Sequence, residues 1–390
     1  MKKIYLFIVL GVFVVIYWLL NPYYSEKKEK VTTVEPIIDS TVTVTFSVVG
    51  DIMCHSTQYN YAWVKEDSFD FNPVFSVVGN YLREKDILIG NLETVLAGDT
   101  KEYAGYPFFN SPNELALALK TTGFDFLTTA NNHANDQGFQ GVKRTLEVLR
   151  KENIIPLGTS SLDSGKDYNI FVRKGLRFGL LSYTYGTNYN ANSLEPRKFV
   201  NHIDTVRIKK DIKKIISKKI DLVIVLYHFG DEYQKHISKY QKKIVDRTIS
   251  YGADIILGSH PHIIQKFEKY KTVDGNLDTG FVVYSLGNFI SNQRWRFSDG
   301  GIIFNFNITK NIFTDSIYIA DINYLPTWVF RGETKRGKEF IILPSENYNE
   351  NTKYNYLTNA DRDSMKNSYY DNIHQLSSSS DSLKIDRFDK

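Results

Sequence analysis

"DLVIVLYHFG" at residues 221–230 and "ADIILGSHPH" at residues 253–262 decide the fold. Each is a short apolar run, rich in Val, Ile and Leu, that ends in histidine. Between them Ile237, Tyr240, Ile244 and Ile249 recur at helical spacing, and Gly252 stops that segment. Strand, helix and strand in this order form a parallel pair joined by a crossover, because antiparallel neighbours need only a short turn. A run with no polar alternation is a strand covered on both faces.

The same pattern extends upstream. "TVTVTFSVVG" (41–50) alternates and then turns fully apolar, as an entering strand does. "DILIGNLE" (86–93) is an apolar strand with a polar end. "SPNELALALKTTGFDFLTTANNH" (111–133) offers Ser111 as N-cap, Pro112 as the first helical residue and Gly123 as the stop, followed by a new strand. Val142, Leu146 and Leu149 then share one face of a further helix. "LRFGLLSYTY" (176–185) is another strand, and a Lys- and Ile-rich helix over about 205–218 leads into the opening stretch. Downstream, "FVVYSLGNFI" (281–290) and "GIIFNFNIT" (301–309) carry no helical signal and are expected to be antiparallel. Residues 345–390, rich in Asn, Tyr, Ser and Asp and containing "SSSSDS", lack periodicity and are expected to form a polar, weakly ordered tail.

Composition narrows the class. A chain of 390 residues with 42% hydrophobic and 24% charged residues has the makings of an ordinary globular core. The net charge of +4, without a basic stripe, gives no case for nucleic acid as a partner. The single cysteine, Cys54, excludes an internal disulfide and a cysteine-based zinc knuckle. The 26 Tyr and 25 Phe suit either carbohydrate and polymer contacts or a sheet-rich core with tyrosine-lined loops.

The strand ends carry the chemistry. They read Asp51 with His55 in "VVGDIMCH", Asn91 and Glu93 in "IGNLE", Asn132 and His133 in "TANNH", His228 in "VLYHFG", and His260 and His262 in "LGSHPH". Five of the eight histidines lie at these points, whereas the run ending near Tyr185 has no such group. One strand-end histidine is ordinary loop chemistry, and Gly50 and Gly258 are readable as turn residues. Taken together, the groups converge on one edge of a parallel sheet, beyond the carboxyl ends of the strands, where ligands of such sheets bind. His, Asn, Asp and Glu without thiolate suit a hydrolytic Zn, Mn or Fe centre. A two-metal pair needs a bridging carboxylate, and Glu93 is the candidate.

"GDIMCH", "NLE", "NNHANDQG", "HFGDEY", "GSHPHIIQ" and "SLGNF", in that order, resemble the motifs of the CapA (PgsA) family of poly-γ-glutamate capsule biosynthesis proteins, over roughly residues 44–310. That family is similar to calcineurin-like metallophosphoesterases. The resemblance implies a four-layer α/β/β/α sandwich. It also implies two divalent metal ions, one on Asp51, Glu93 and His262, the other on Glu93, Asn132, His228 and His260. His133 would be a catalytic acid and not a ligand. His55, Asn91, Glu232, Gln265, Ser285 and Asn288 belong to the matched motifs and are expected around the pocket, with Asn288 also readable as a turn residue. Asp136 is expected to be the N-cap region of the following helix. Two departures stand out: His55 lies two residues later than the phosphoesterase histidine, and Asn91 replaces an aspartate.

The N-terminus adds a location. "IYLFIVLGVFVVIYWLL" (4–20) is uncharged, and as a helix would span roughly 25 Å, the short end of a bilayer crossing. No small-residue cleavage site follows, so a single-pass anchor over 1–22 is expected, then a juxtamembrane linker over 23–42 and a metallophosphatase-type domain over 43–344. Lys2 and Lys3 oppose Lys27, Lys28 and Lys30 in setting orientation. The family resemblance places the domain outside the cytoplasm. The expected partners are the membrane, an anionic polymer or phosphoester substrate, and other membrane subunits of a capsule synthase. Two functions of different class follow: a metal-dependent hydrolase, or a non-catalytic polymer-binding or export subunit.

Overall fold

The computed structural model describes residues 40–66, 68–161, 168–189, 195–273, 275–377 and 383–388. The expected anchor at 1–22 and most of the linker lie outside the described residues. Among the described residues, no helix is long and apolar enough to cross a membrane.

Strand β1 (Thr41–Ile52) opens the fold. Helix α1 (Ser56–Ala62), a small hairpin of β2 (Trp63–Lys65) and β3 (Ser68–Phe69), and helices α2 (Asn72–Phe75) and α3 (Gly79–Arg83) lead to β4 (Ile87–Leu92). Then α4 (Glu114–Thr122), β5 (Phe126–Thr128), α5 (Gly138–Lys151) and β6 (Ile155–Leu157) alternate as the pattern predicts. Helix α4 starts later than expected. Ser111 does not cap it, because its hydroxyl is 2.6 Å from that of Thr94 and its backbone N–H bonds to Val95. Gly123 does end it, in the left-handed conformation.

A second series follows: β7 (Asn169–Arg173), β8 (Leu176–Thr184), α6 (Thr205–Ile216), β9 (Leu222–His228), α7 (Lys239–Ser250), β10 (Ile255–Ser259), β11 (Phe267–Lys271) and β12 (Thr279–Val283). Asp204 caps α6 by accepting from Val206 and Arg207 N–H groups, and Ser238 with Gln241 forms a capping box on α7. The chain ends with β13 (Asn288–Ile290), β14 (Gly300–Asn311), β15 (Ile317–Thr334), β16 (Gly337–Pro344), α8 (Asn359–Ser377) and β17 (Lys384–Ile385).

Two mixed sheets result, ordered β16-β15-β14-β1-β4-β5-β6 and β11-β12-β10-β9-β8-β7. Each holds four adjacent parallel strands, β1-β4-β5-β6 in one and β8-β9-β10-β12 in the other. Alternation along the strands sorts the core into layers. Val44, Phe46 and Val48 meet Leu180, Ile224 and Ile255 between the sheets. Leu181, Val223, Val225 and Ile256 face α6 and α7 through Ile208, Ile212 and Ile244. Val49, Leu88 and Leu127 turn to α4 and α5. Helix, sheet, sheet and helix are therefore stacked, with both faces of each central strand buried.

Two expectations need correction. Residues 281–290 are not one antiparallel strand: β12 runs parallel to β10 in one sheet, and β13 runs parallel to β1 in the other, with only β11 antiparallel to β12. β14 is antiparallel to β1, as expected. The expected weakly ordered tail contains α8, which buries Met365, Ser368, Asn372 and Leu376. That stripe has helical spacing, but two of its four members are polar, so no apolar period shows in the sequence.

Candidate metal centre

The carboxyl ends of both parallel sets point at one place. Asp51 is at the end of β1, beside Asn91 on β4. His228 closes β9, opposite Ser259 at the end of β10. The chain reaches this arrangement because residues 284–288 cross from one sheet to the other between the strand ends. Gly50 and Gly258 permit that crossing. A Cβ on Gly50 would lie 1.9 Å from the Gly287 carbonyl oxygen, and one on Gly258 would lie 2.0 Å from that of Tyr284. Neither glycine is a turn residue.

Glu93 is at the centre. Its side chain is fully buried, and neither carboxylate oxygen has a hydrogen-bond partner. It belongs to two sets of ligand atoms that lie within 4.8 Å of one another: Glu93, His260 and His262, and Asp51, Glu93 and His228. Glu93 is thus common to both, as a bridge requires. The other members are divided differently from the division the family resemblance implies, which put Asp51 with His262 and His228 with His260. His228 Nε2 is 3.5 Å and His262 Nε2 is 3.8 Å from Glu93 Oε1. Asn132 Oδ1 is 2.7 Å from His228 Nε2, beside this group, and its Nδ2 has no partner.

Supporting contacts aim these groups. His262 Nδ1 lies 3.1 Å from both Asp51 Oδ2 and Asn288 Oδ1, so a proton there leaves the Nε2 lone pair directed at Glu93. Asn91 Nδ2 lies 2.7 Å from Asp51 Oδ1 and 3.2 Å from His228 Nδ1, while its own oxygen accepts from Thr128. His260 and His262 both have positive φ, 101° and 59°. Such strain in non-glycine residues, about 1–3 kcal/mol each, collects where a site needs a particular side-chain direction.

The electrostatics suit cations. Burial pushes the Asp51 carboxyl up, but the His262 hydrogen bond and charge, the Asn91 amide and the His260 charge together hold it below the usual range. Burial, then the Asp51 charge, push Glu93 well above it. Burial depresses His228 and His260 well below the ordinary imidazole range, and neighbouring histidines add to this. Neutral imidazoles are the ligating form. A buried carboxylate with no donor costs several kcal/mol until a charge compensates it. The residues therefore fit a divalent metal ion.

His133 stands beside this group and outside both ligand sets. Its Nδ1 is 2.7 Å from Asp136 Oδ2, and its ring meets Phe109 edge-on at 4.6 Å. Asp136 is therefore not a helix cap, as the sequence suggested, but the partner of His133. The His-x-x-Asp spacing in "NNHAND" carried that signal. Asn131, also unnoticed in the sequence, bonds to the Leu92 carbonyl and the His133 N–H. Tyr185, after the one strand that seemed to end without a site residue, places its ring 4.6 Å from that of His260.

The expected pocket residues divide. Asn91 and Asn288 orient ligands, as above. His55 lies off the group as the N-cap of α1, with Gln58 and the Asn292 N–H on its Nδ1, and burial holds its pKa down to about 4. Gln265 is fully buried but bonds to Gln241 and to the carbonyls of Gln234 and His236, so it secures the loop after β9 and does not line the site. Ser285 accepts from the Gly287 N–H within the crossing segment. Glu232 is exposed above the site, where its charge acts on Glu93.

The family described as bacterial capsule synthesis protein PGA_cap matches residues 45–293. The chain belongs to this family. The capsule biosynthesis protein CapA of Bacillus anthracis is 31% identical over 281 residues, covering 69% of this chain and 64% of that one. The PGA biosynthesis protein CapA of Bacillus subtilis (strain 168) is 28% identical over 278 residues, 68% of each chain. The match thus spans a little under two thirds of the Bacillus anthracis relative's own length. Among solved structures, the calcineurin-like phosphoesterase YfkN from Bacillus subtilis aligns with a TM-score of 0.44 at 12% identity, over 85% of this chain and 98% of that one. The PGA_cap match takes in every residue assigned above to the metal centre and to its His133–Asp136 neighbour.

Proposed function

We propose that this PGA_cap member is a membrane-anchored, metal-dependent hydrolase of exopolymer biosynthesis, acting on a phosphoester or related ester bond outside the cytoplasm. The observation that carries the reading is Glu93, a buried carboxylate with two unpartnered oxygens shared by two ligand sets. Asp51, Glu93, Asn132, His228, His260 and His262 would hold two divalent ions there, Zn, Mn or Fe. When bound, such ions supply Lewis acidity and lower the pKa of water. The chain's residues do the rest. Asn91 and Asn288 hold Asp51, His228 and His262 in orientation. Asp136 anchors His133 through Nδ1, which leaves Nε2 to deliver a proton to the leaving oxygen. The uncharged run at 4–20 supplies the anchor, and an anionic polymer with the membrane subunits that make it supplies the context.

Purified full-length protein is the test. About two Zn, Mn or Fe ions per chain and turnover of a small phosphodiester are expected, with turnover lost in His260→Ala and Asn132→Ala. Absence of all three metals, with these variants changing only stability, overturns the reading. Metal without turnover on any phosphodiester or ester favours the alternative, a non-catalytic polymer-binding or export subunit.

A further inference from the structure

A cavity of about 400 Å³ lies between the loop after β9, the residue before β11 and the end of α8. Lys235, His236, Ile237, Lys266, His374 and Gln375 line it, so four of the six are lysine or histidine and none is acidic. The cations around it differ in what they already hold. Arg296 forks onto Asp371 at 2.9 and 2.8 Å, and Arg294 donates to the Val329 carbonyl while lying over the Trp328 ring. Lys266 pairs with Glu268. Lys235 has no carboxylate partner among the described residues, and its ammonium sits 3.3 Å from the centre of the Phe297 ring. Asp231 and Glu232 are exposed on the same loop but do not line the cavity.

The walls are braced, and they connect to the metal centre. The Gln375 amide donates to the Lys235 carbonyl at 2.9 Å, and the Gln265 amide donates to the carbonyls of Gln234 and His236. A frame fixed in this way presents its charges without further ordering cost. Tyr233, two residues before Lys235 and so at most about 7 Å away along the backbone, places its ring 5.8 Å from that of His262. Trp295 packs on Tyr233 as Phe297 packs on Lys235, so the two loops run together from the metal centre to the cavity.

We infer that this cavity is a second, metal-independent subsite, which holds carboxylate groups of a polymer while a bond further along the same chain lies at the metal centre. Lysine and histidine offer separate point charges, which suit separate carboxylates. A phosphate is best gripped by a guanidinium fork, and the two nearby arginines are engaged elsewhere. Contact at two points makes the second binding event intramolecular, so a polymer long enough to bridge them is held more tightly than its fragments. The inference rests on the proposed function for the anionic polymer and for the event at the metal centre, but not for the cavity's charge or walls.

The test uses full-length protein, metal-loaded and metal-stripped, titrated with a γ-linked glutamate oligomer of about ten residues, long enough to bridge the two points. Binding is expected to persist without metal and to weaken as salt is raised. Lys235→Glu and His374→Glu, at exposed positions on separate elements, are each expected to weaken it about tenfold, and Lys235→Arg by less than about threefold. Lys239→Glu, exposed nearby but outside the cavity, is expected to stay within about twofold of the parent. Absence of binding to the metal-stripped protein overturns the inference. So do Lys235→Glu and His374→Glu variants that bind like the parent, or an equal loss in Lys239→Glu. A polyphosphate of similar length that binds more tightly, and is lost in the same variants, makes this a phosphate site and also overturns it. Metal content and small-phosphodiester turnover decide the hydrolase reading and are read separately from these titrations.

Discussion

Asp136 holds His133 through a buried contact, Oδ2 to Nδ1 at 2.7 Å, with both side chains almost wholly removed from solvent. The same carboxylate oxygen accepts the Phe109 N–H, so the acid is fixed by backbone before it fixes the imidazole. The histidine beside the metal ligands is thereby held in one tautomer and one orientation, which a proton donor needs.

Asp136→Asn should therefore lower turnover without removing metal. A loss of about tenfold to a hundredfold in kcat, with metal content unchanged, is the expected result, in line with other groups that orient a reacting side chain. Steady-state kinetics beside elemental analysis checks it. Loss of metal together with activity would show Asp136 to be a structural support and nothing more.

Glu93→Gln keeps the shape of the side chain but removes the charge common to both ligand sets. Metal content should fall below about one ion per chain, because each ion loses its shared anionic ligand. The metal-free variant should melt no lower than the metal-free parent, since the carboxylate it replaces is buried beside Asp51 without donors. A variant that retains two ions removes Glu93 from the bridging position.

Asp254 lies just before β10, at the opposite strand end from the metal centre, and burial raises its pKa from 3.8 to about 7. A carboxyl that holds its proton more tightly when folded stabilises fully below the unfolded value and loses that stability as pH rises through the folded value. The parent should thus lose stability between about pH 4 and 7 and level off above it. Asp254→Asn still accepts the Val223 N–H but carries no charge. It should exceed the parent by about 4 kcal/mol above pH 7 and match it near pH 4. Denaturant titrations at several pH values measure this. Parallel curves for parent and variant would refute it.

Gly50→Ala tests the crossing segment. The added methyl meets the Gly287 carbonyl oxygen at 1.9 Å, a contact relieved only by moving backbone. Destabilisation of about 3 kcal/mol or more is expected, with loss of metal binding. A variant that melts like the parent and keeps its metal would show that the crossing tolerates displacement.

Much of the layered fold was readable because both-face burial writes continuous apolar runs, as in "DLVIVLYH", and because Gly123 and Gly252 mark where helices stop. The gathering of Asp51, Glu93, Asn132, His228, His260 and His262 was expected at one edge of one parallel sheet; the structure instead draws three of them from each of two sheets whose strand ends meet. Other features were hidden for physical reasons. Ser111 has the composition of an N-cap but its hydroxyl is claimed by Thr94, a partner remote from any helical pattern. Gln265 sits in a matched motif yet serves the loop after β9, which spacing cannot distinguish from lining a pocket. The buried face of α8 is half polar, so Met365 and Leu376 gave no period. The switch of sheets between Val283 and Asn288 depends on two distant glycines fitting against it, and local pattern does not encode such fits.

Asp51 ends a strand of one sheet, His260 follows a strand of the other, and the Asp51 carboxylate accepts the His260 N–H although the two are 209 positions apart in the chain. Among the described residues, each candidate ligand set takes groups from both sheets. Ion capture at such a site would be a late event in self-assembly, a clasp that closes only after the two halves have docked, and the rate of metal uptake by refolding chains would then be a clock for that final step.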